Sequence, residues 1–315
     1  MERARALGFQ KVGVARAIDH VDDFRTWLAL GYAGEMEYLA ASAAKRADIT
    51  TFMPGAQSVV VVAMNYWTGE AGRSVSCYAW GRGYQDLMMA RLEKLKAFVV
   101  SRGAKAKITV DAGAVLEKRW AAAAGVGWTG KHSLQLDAEL GSWFYLGVLV
   151  TDAVLDPDPP ATDLCGACTA CMDACPTAAI VEPYVVDARK CISYLTIEKR
   201  GPIEDGMKSG MGAWVFGCDI CQGVCPHNAK APTTDEVAFQ PTLKNPDLAA
   251  MLRGIDHRET GVSRAKRAGL ARNAAIALGN AGSARAIPAL QPALKDRDEG
   301  VRDAARWALR RLGAL

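Results

Sequence analysis

Runs of apolar residues, bounded by polar and turn-forming ones, divide the first half of the chain into short strands and one long helix. "SVVVVAM" (58–64) is an unbroken β-branched run behind Pro54-Gly55, the mark of a buried strand. "AKITVD" (106–111) and "SWFYLGVLVTD" (142–152) read likewise. Between the first two, Met88, Leu92, Leu95 and Val99 recur at gaps of four, three and four, the spacing of one helix face. Strands interleaved with helices predict an α/β domain over residues 1–162, a sheet covered by helices. The proline-rich "LDPDPPATD" (155–163) marks its boundary. Toward the C-terminus the pattern changes. "LARNAAIALGNAG" (270–282) and "VRDAARWALRRLG" (301–313) align at an offset of 31 residues, pairing Ile276 with Trp307, Leu278 with Leu309 and Gly282 with Gly313. With the apolar face of "AIPALQPALKD" between them, residues 233–315 read as all-α, HEAT-like repeats.

Length and composition add bounds. A chain of 315 residues, half apolar and 23% charged, accommodates two or three globular domains. Its longest apolar runs are strand-sized, short of the roughly 18 residues of a membrane span. The opening Met1-Glu2-Arg3 carries no apolar leader, so a cytoplasmic protein with no membrane contact is expected. The net charge of +4 is too mild to prove a nucleic-acid partner, although basic residues thicken near the C-terminus. Cysteine usage is more telling. Eight of the nine cysteines fall between Cys165 and Cys225, a metal or cluster module rather than a disulfide framework in a reducing compartment.

The first set is Cys165, Cys168, Cys171 and Cys175-Pro176, and the second is Cys191, Cys218, Cys221 and Cys225-Pro226. C-x2-C-x2-C-x3-C-P is the bacterial ferredoxin pattern, in which the fourth cysteine serves the other cluster. The crossed assignment puts Cys165, Cys168, Cys171 and Cys225 on cluster one, and Cys175, Cys191, Cys218 and Cys221 on cluster two. A ferredoxin-like domain with two [4Fe–4S] clusters then occupies residues 163–232. Structural zinc is the alternative for four thiolates, but zinc ribbons use paired C-x2-C hooks and no third cysteine two residues on.

Other signals are weaker. "GVGWTG" (125–130) formally matches G-x-G-x-x-G, but a helical "LEKRWAAAA" precedes it and no helix start follows, so a dinucleotide fold is rejected. None of His20, His132, His227 and His257 has protease or triad spacing. Cys77, in an aromatic setting, is a small buried hydrophobe or the neighbour of a redox cofactor. Asp111 stands where a strand stops, which suits a ligand site or a helix N-cap.

"DACPTAAIVEPYVVDARKCISYLTIEKRGPI", "GCDICQGVCPHN" and "VDAGAVLEKRWAAAAGVGWTGKHSLQL" together resemble the epoxyqueuosine reductase family over about residues 6–232, with the HEAT-like tail continuing the likeness. The resemblance implies a cobalamin-dependent enzyme with two [4Fe–4S] clusters that reduces epoxyqueuosine to queuosine at the wobble position of tRNA. It makes the N-terminal domain the cobalamin-binding one and Asp111, in the "VDAG" motif, the proton donor. It suggests a cobalamin pocket of Cys77, Tyr78, Tyr84, Asp111, Lys131, His132, Ser133 and Gln135. The chain lacks a D-x-H-x-x-G motif, since Asp256 and His257 are adjacent, so the cobalamin is expected base-off. Three positions depart from the family's usual residues: Gly83-Tyr84-Gln85 stands for Asp-Tyr-His, and His227 for Trp. The basic "SRAKRAGLAR" (263–272) offers Arg264, Lys266, Arg267 and Arg272 to tRNA phosphates, against an ordinary solvated helix surface. The expected partners are the modified tRNA and an electron donor that the sequence does not identify, acting on a monomer. An electron carrier docking a protein through its tail is the competing class, and a corrinoid reductive dehalogenase the competing enzyme.

Overall fold

Strand β2 (Ser58–Asn65) lies at the centre of the molecule and is buried at every position. The computed structural model describes residues 1–18, 22–254 and 261–315; His20, Asp256 and His257 lie outside them. One sheet joins β1 (Lys11–Arg16), β2, β3 (Ala106–Thr109) and β6 (Phe144–Thr151) in the order β1-β2-β6-β3. Every pairing is antiparallel. Two small hairpins stand apart, β4 (Trp128–Thr129) with β5 (Gln135–Leu136), and β7 (Ile180–Glu182) with β8 (Val185–Val186).

The apolar run of β2 is continuous because both sheet faces are covered. Val60, Val62 and Met64 point into the larger core, and Val59, Val61 and Ala63 into the smaller one, as the two-residue period of a strand requires. The Tyr84–Val100 helix covers the first face with Met88, Leu92 and Leu95. It lies so close that a Cβ on Gly147 would stand 2.8 Å from Leu92. The Glu117–Ala123 helix covers the second face with Trp120 and Ala121.

The cysteine-rich segment is built of short pieces, among them the helices Ala170–Asp173, Ile192–Ile197 and Ile220–Gly223. In the tail the helix Leu248–Arg253 is followed by three more, and of these three, Lys266–Asn280, Ile287–Ala293 and Glu299–Arg311, the outer two are the repeat-bearing ones. The first and third stop at matched glycines, Gly282 at φ +69° and Gly313 at φ +71°, a left-handed conformation that glycine adopts without strain. The larger core is continuous from Leu92 and Leu149 through Ile192 and Phe216 to Leu270 and Leu309.

Polar bonds fasten the tail as well. Arg272 is 2% exposed and donates to the carbonyls of Leu195, Lys199 and Gly201. Asn273 donates to those of Thr196 and Val215. No helix among the described residues is long and apolar enough to cross a membrane.

Candidate active site and thiol clusters

Strand β3 ends at Thr109, and two residues later the backbone of Asp111 turns to φ +59°. Aspartate is one of the few non-glycine residues that tolerates this region. The Asp111 N–H donates to Glu117 Oε1 at 2.6 Å. Its Oδ2 accepts from Tyr84 Oη and Gln85 Nε2, both at 3.0 Å. The following helix begins at Glu117 behind Leu116, so Asp111 is no helix cap. The carboxyl is exposed, and both of these donors act on Oδ2 rather than Oδ1.

Tyr84 stacks on Tyr145 with centroids 4.0 Å apart, and Tyr145 Oη bonds the Tyr78 carbonyl at 2.5 Å. Tyr78 lies edge-on to Tyr84. Burial and the neighbouring Asp111 charge push the Tyr84 phenol well above its ordinary value, so it remains a donor. Burial also pushes Glu117 up to about 8, opposed by the Asp111 N–H and helped by the Asp111 charge.

The folded protein therefore holds a proton on Glu117 that the unfolded chain releases. That contribution is complete below the ordinary carboxylate range and is lost as pH rises through about 8. Glu117→Gln keeps an acceptor for the Asp111 N–H and cannot ionise. It should flatten the fall in melting temperature toward alkaline pH; parallel curves for variant and parent would contradict this.

The eight thiols fall into two groups. Cys165, Cys168, Cys171 and Cys225 line one cavity. Cys218 and Cys221 each lie within electrostatic reach of both Cys175 and Cys191. Burial, then the charge of its neighbours, pushes Cys218 up to about 12 and Cys221 well above the usual thiol range. Thiolates gathered here need positive charge among them, which metal ligation supplies. A four-iron cube seats each thiolate on its own iron. Trp128 Nε1 already points at Cys165 Sγ, 3.5 Å away.

A buried carboxylate joins the second thiol group to the Tyr78 wall. Asp219, between Cys218 and Cys221, is 2% exposed. It accepts from Gly72 N at 2.7 Å, Cys77 N at 2.9 Å and the Ser76 hydroxyl. A bridge between Val75 and Phe216 and the bond from Ser76 N to the Phe216 carbonyl complete the seam. Cys77 is buried against this carboxylate, which with burial raises its thiol.

The residues anticipated for a cobalamin pocket divide between two places. Tyr78, Tyr84 and Asp111 meet as described. Lys131 donates to the carbonyls of Gly166 and Cys168, and His132 lines the cavity of the first thiol group. Gln135 is buried and donates to the Gly127 carbonyl at 2.6 Å, so its amide serves the β4–β5 hairpin. Ser133, at φ +63°, bonds Lys118 Nζ through its carbonyl at 2.7 Å. The glycines of "GVGWTG" lead into β4, not into a helix.

The four basic residues of the tail do not share a face. Arg264 lies in a 3-10 turn, pairs with Glu198 and stacks over Tyr38 with 5.6 Å to the ring centroid. Its charge reaches Asp111, so it lies near that carboxyl. Arg267 is paired with both Asp296 oxygens at 2.8 Å. Lys266 is exposed, while the interior bonds of Arg272 remove it from any surface. Gln85 and Asp219 were not anticipated from sequence. Gln85 had one signal, since it stands where the family has histidine.

Three family models match the chain in order: epoxyqueuosine reductase QueG over residues 46–112, a 4Fe-4S double cluster binding domain over 164–228, and HEAT repeats over 260–314. The epoxyqueuosine reductase of Pseudomonas aeruginosa is 42% identical, covering 98% of this chain and 92% of its own. That of Gloeobacter violaceus is also 42% identical, over 90% and 96%. A crystal structure of an epoxyqueuosine reductase with a tRNA-Tyr epoxyqueuosine-modified stem loop superposes with a TM-score of 0.89 at 31% identity, covering 99% of this chain and 88% of that one. The Streptococcus thermophilus enzyme gives 0.87 at 26% identity over the same shares. With relatives this similar along nearly its whole length, and a two-cluster segment between its sheet and its helical repeats, the chain belongs to the epoxyqueuosine reductase family.

Proposed function

We propose that this chain reduces the epoxide of epoxyqueuosine at the wobble position of tRNA to give queuosine, drawing electrons through two [4Fe–4S] clusters and a cobalamin. The observation that carries the reading is the seam at Asp219. It joins the thiol-bearing segment to the same aromatic wall that holds the Asp111 carboxyl. Cys165, Cys168, Cys171 and Cys225 would hold cluster one, and Cys175, Cys191, Cys218 and Cys221 cluster two.

The rim suits a cobalamin chemically. Tyr78 and Tyr84 offer aromatic surface to a flat macrocycle, and Gln85 and Lys118 offer donors to its amide-bearing edge. A cobalamin held there would supply low-potential electrons to the strained ring. The protein's own part is acid chemistry. Reduction consumes two electrons and two protons and releases the epoxide oxygen as water. Tyr84 and Gln85 both act on Asp111 Oδ2, leaving Oδ1 to carry the proton to the departing oxygen. Glu117 fixes the strained turn that presents it.

The tRNA would be held in part by a depression in which Lys266, Arg267 and Arg297 outnumber the single acidic residue, Asp298. Replacing Lys266 and Arg297 by glutamine should weaken binding of any tRNA and reduce its salt slope by about 0.7–0.9 for each phosphate no longer neutralised. Unchanged affinity and slope would move the docking face elsewhere.

The deciding experiment is anaerobic incubation of the cobalamin-loaded, reduced protein with an epoxyqueuosine-containing anticodon stem loop. Mass spectrometry should show loss of one oxygen from the modified base. No conversion under conditions where both clusters are reduced would overturn the assignment.

A further inference from the structure

His132 is 4% exposed and lines the cavity enclosed by Cys165, Cys168, Cys171 and Cys225. Its Nδ1 accepts the Leu134 N–H at 3.1 Å. An accepting Nδ1 on a neutral ring places the hydrogen on Nε2. Nε2 is buried and meets no hydrogen-bond partner among the described residues. A buried N–H is rarely left without an acceptor, and four cysteine sulfurs line this cavity.

We infer that His132 donates an Nε2–H hydrogen bond to a sulfur of cluster one and thereby sets that cluster's reduction potential. The inference rests on the cluster assignment above and goes beyond it, because it moves His132 from the cobalamin pocket to the electron-supply side. Trp128 makes the companion bond to Cys165 from the same hairpin. Donors to cluster sulfurs stabilise the more negative, reduced state and raise the potential. The β4–β5 hairpin thus acts as the tuning element of cluster one. His132 is a positioning and tuning residue; it need not touch substrate.

The experiment is pulse EPR on the reduced, cluster-loaded full chain with 15N-labelled histidine. A weak 15N coupling to cluster one is expected, retained in His227→Phe and absent in His132→Leu. In potentiometric titrations His132→Leu should lower the midpoint of cluster one and leave cluster two unmoved. A tenfold change in its reduced-to-oxidised ratio corresponds to about 59 mV for one electron. His132→Asn, which keeps a side-chain N–H, should recover part of the shift. A cluster-one signal without histidine coupling in the parent protein overturns the inference, as does an equal shift of both clusters in the variant. Protein that binds no iron would instead sink the cluster assignment beneath it.

Discussion

Replacing Asp111 by asparagine is expected to cut turnover by about 10²–10⁴-fold, the usual contribution of a general acid, while tRNA binding stays as it was. The substitution isolates the proton. Asparagine tolerates the left-handed backbone at φ +59°, and its side-chain oxygen can still accept from Tyr84 and Gln85. The turn therefore remains in place, and the bond from its N–H to Glu117 is untouched. Single-turnover reduction of a modified stem loop is the measurement, with tRNA affinity as the control. Near-normal turnover would leave Asp111 as an anchor of the turn and shift the search for the acid to Glu117, the neighbouring carboxyl that keeps its proton up to about pH 8.

Loss of Cys175 should abolish activity altogether, through cluster two. The residue belongs to the first cysteine motif in sequence, yet its charge is felt by Cys191, Cys218 and Cys221. Parent protein prepared without oxygen is expected to carry about eight iron and eight sulfide. Cys175→Ala should carry about four of each, with cluster one still visible by EPR. A variant that kept the second signal and lost the first would reverse the assignment. Parent protein containing zinc and no sulfide would end the redox reading.

Much of the fold was legible because it is local. The β2 run, the Met88-Leu92-Leu95 face and the paired glycines of the tail each report burial within a few residues of themselves. Strand direction was not legible, since a strand covered on both faces shows the same unbroken apolar run whichever way its neighbours point. The grouping of the thiols could be read from spacing, which encodes how a short loop wraps a compact group. Asp219 could not be read: the Ser76 hydroxyl it binds is 143 positions away. Arg272 was misread. It lies in a helix whose residues 269–277 are all buried, and the alanines around it were the signal that this basic residue faces inward. Guanidinium groups tolerate such sites when carbonyls satisfy their donors, as three do here.

Those same bonds constrain how the protein is made. Chains leave the ribosome N-terminus first, at roughly 5–20 residues per second. The helix that follows Cys191 keeps the Leu195 and Thr196 carbonyls waiting for Arg272 and Asn273, and the Val215 carbonyl before Cys218 waits for the same asparagine. Cysteines on both sides of the second thiol group are thus framed by residues translated long after them. The polar bonds around that segment are complete only once its own tail has emerged and folded.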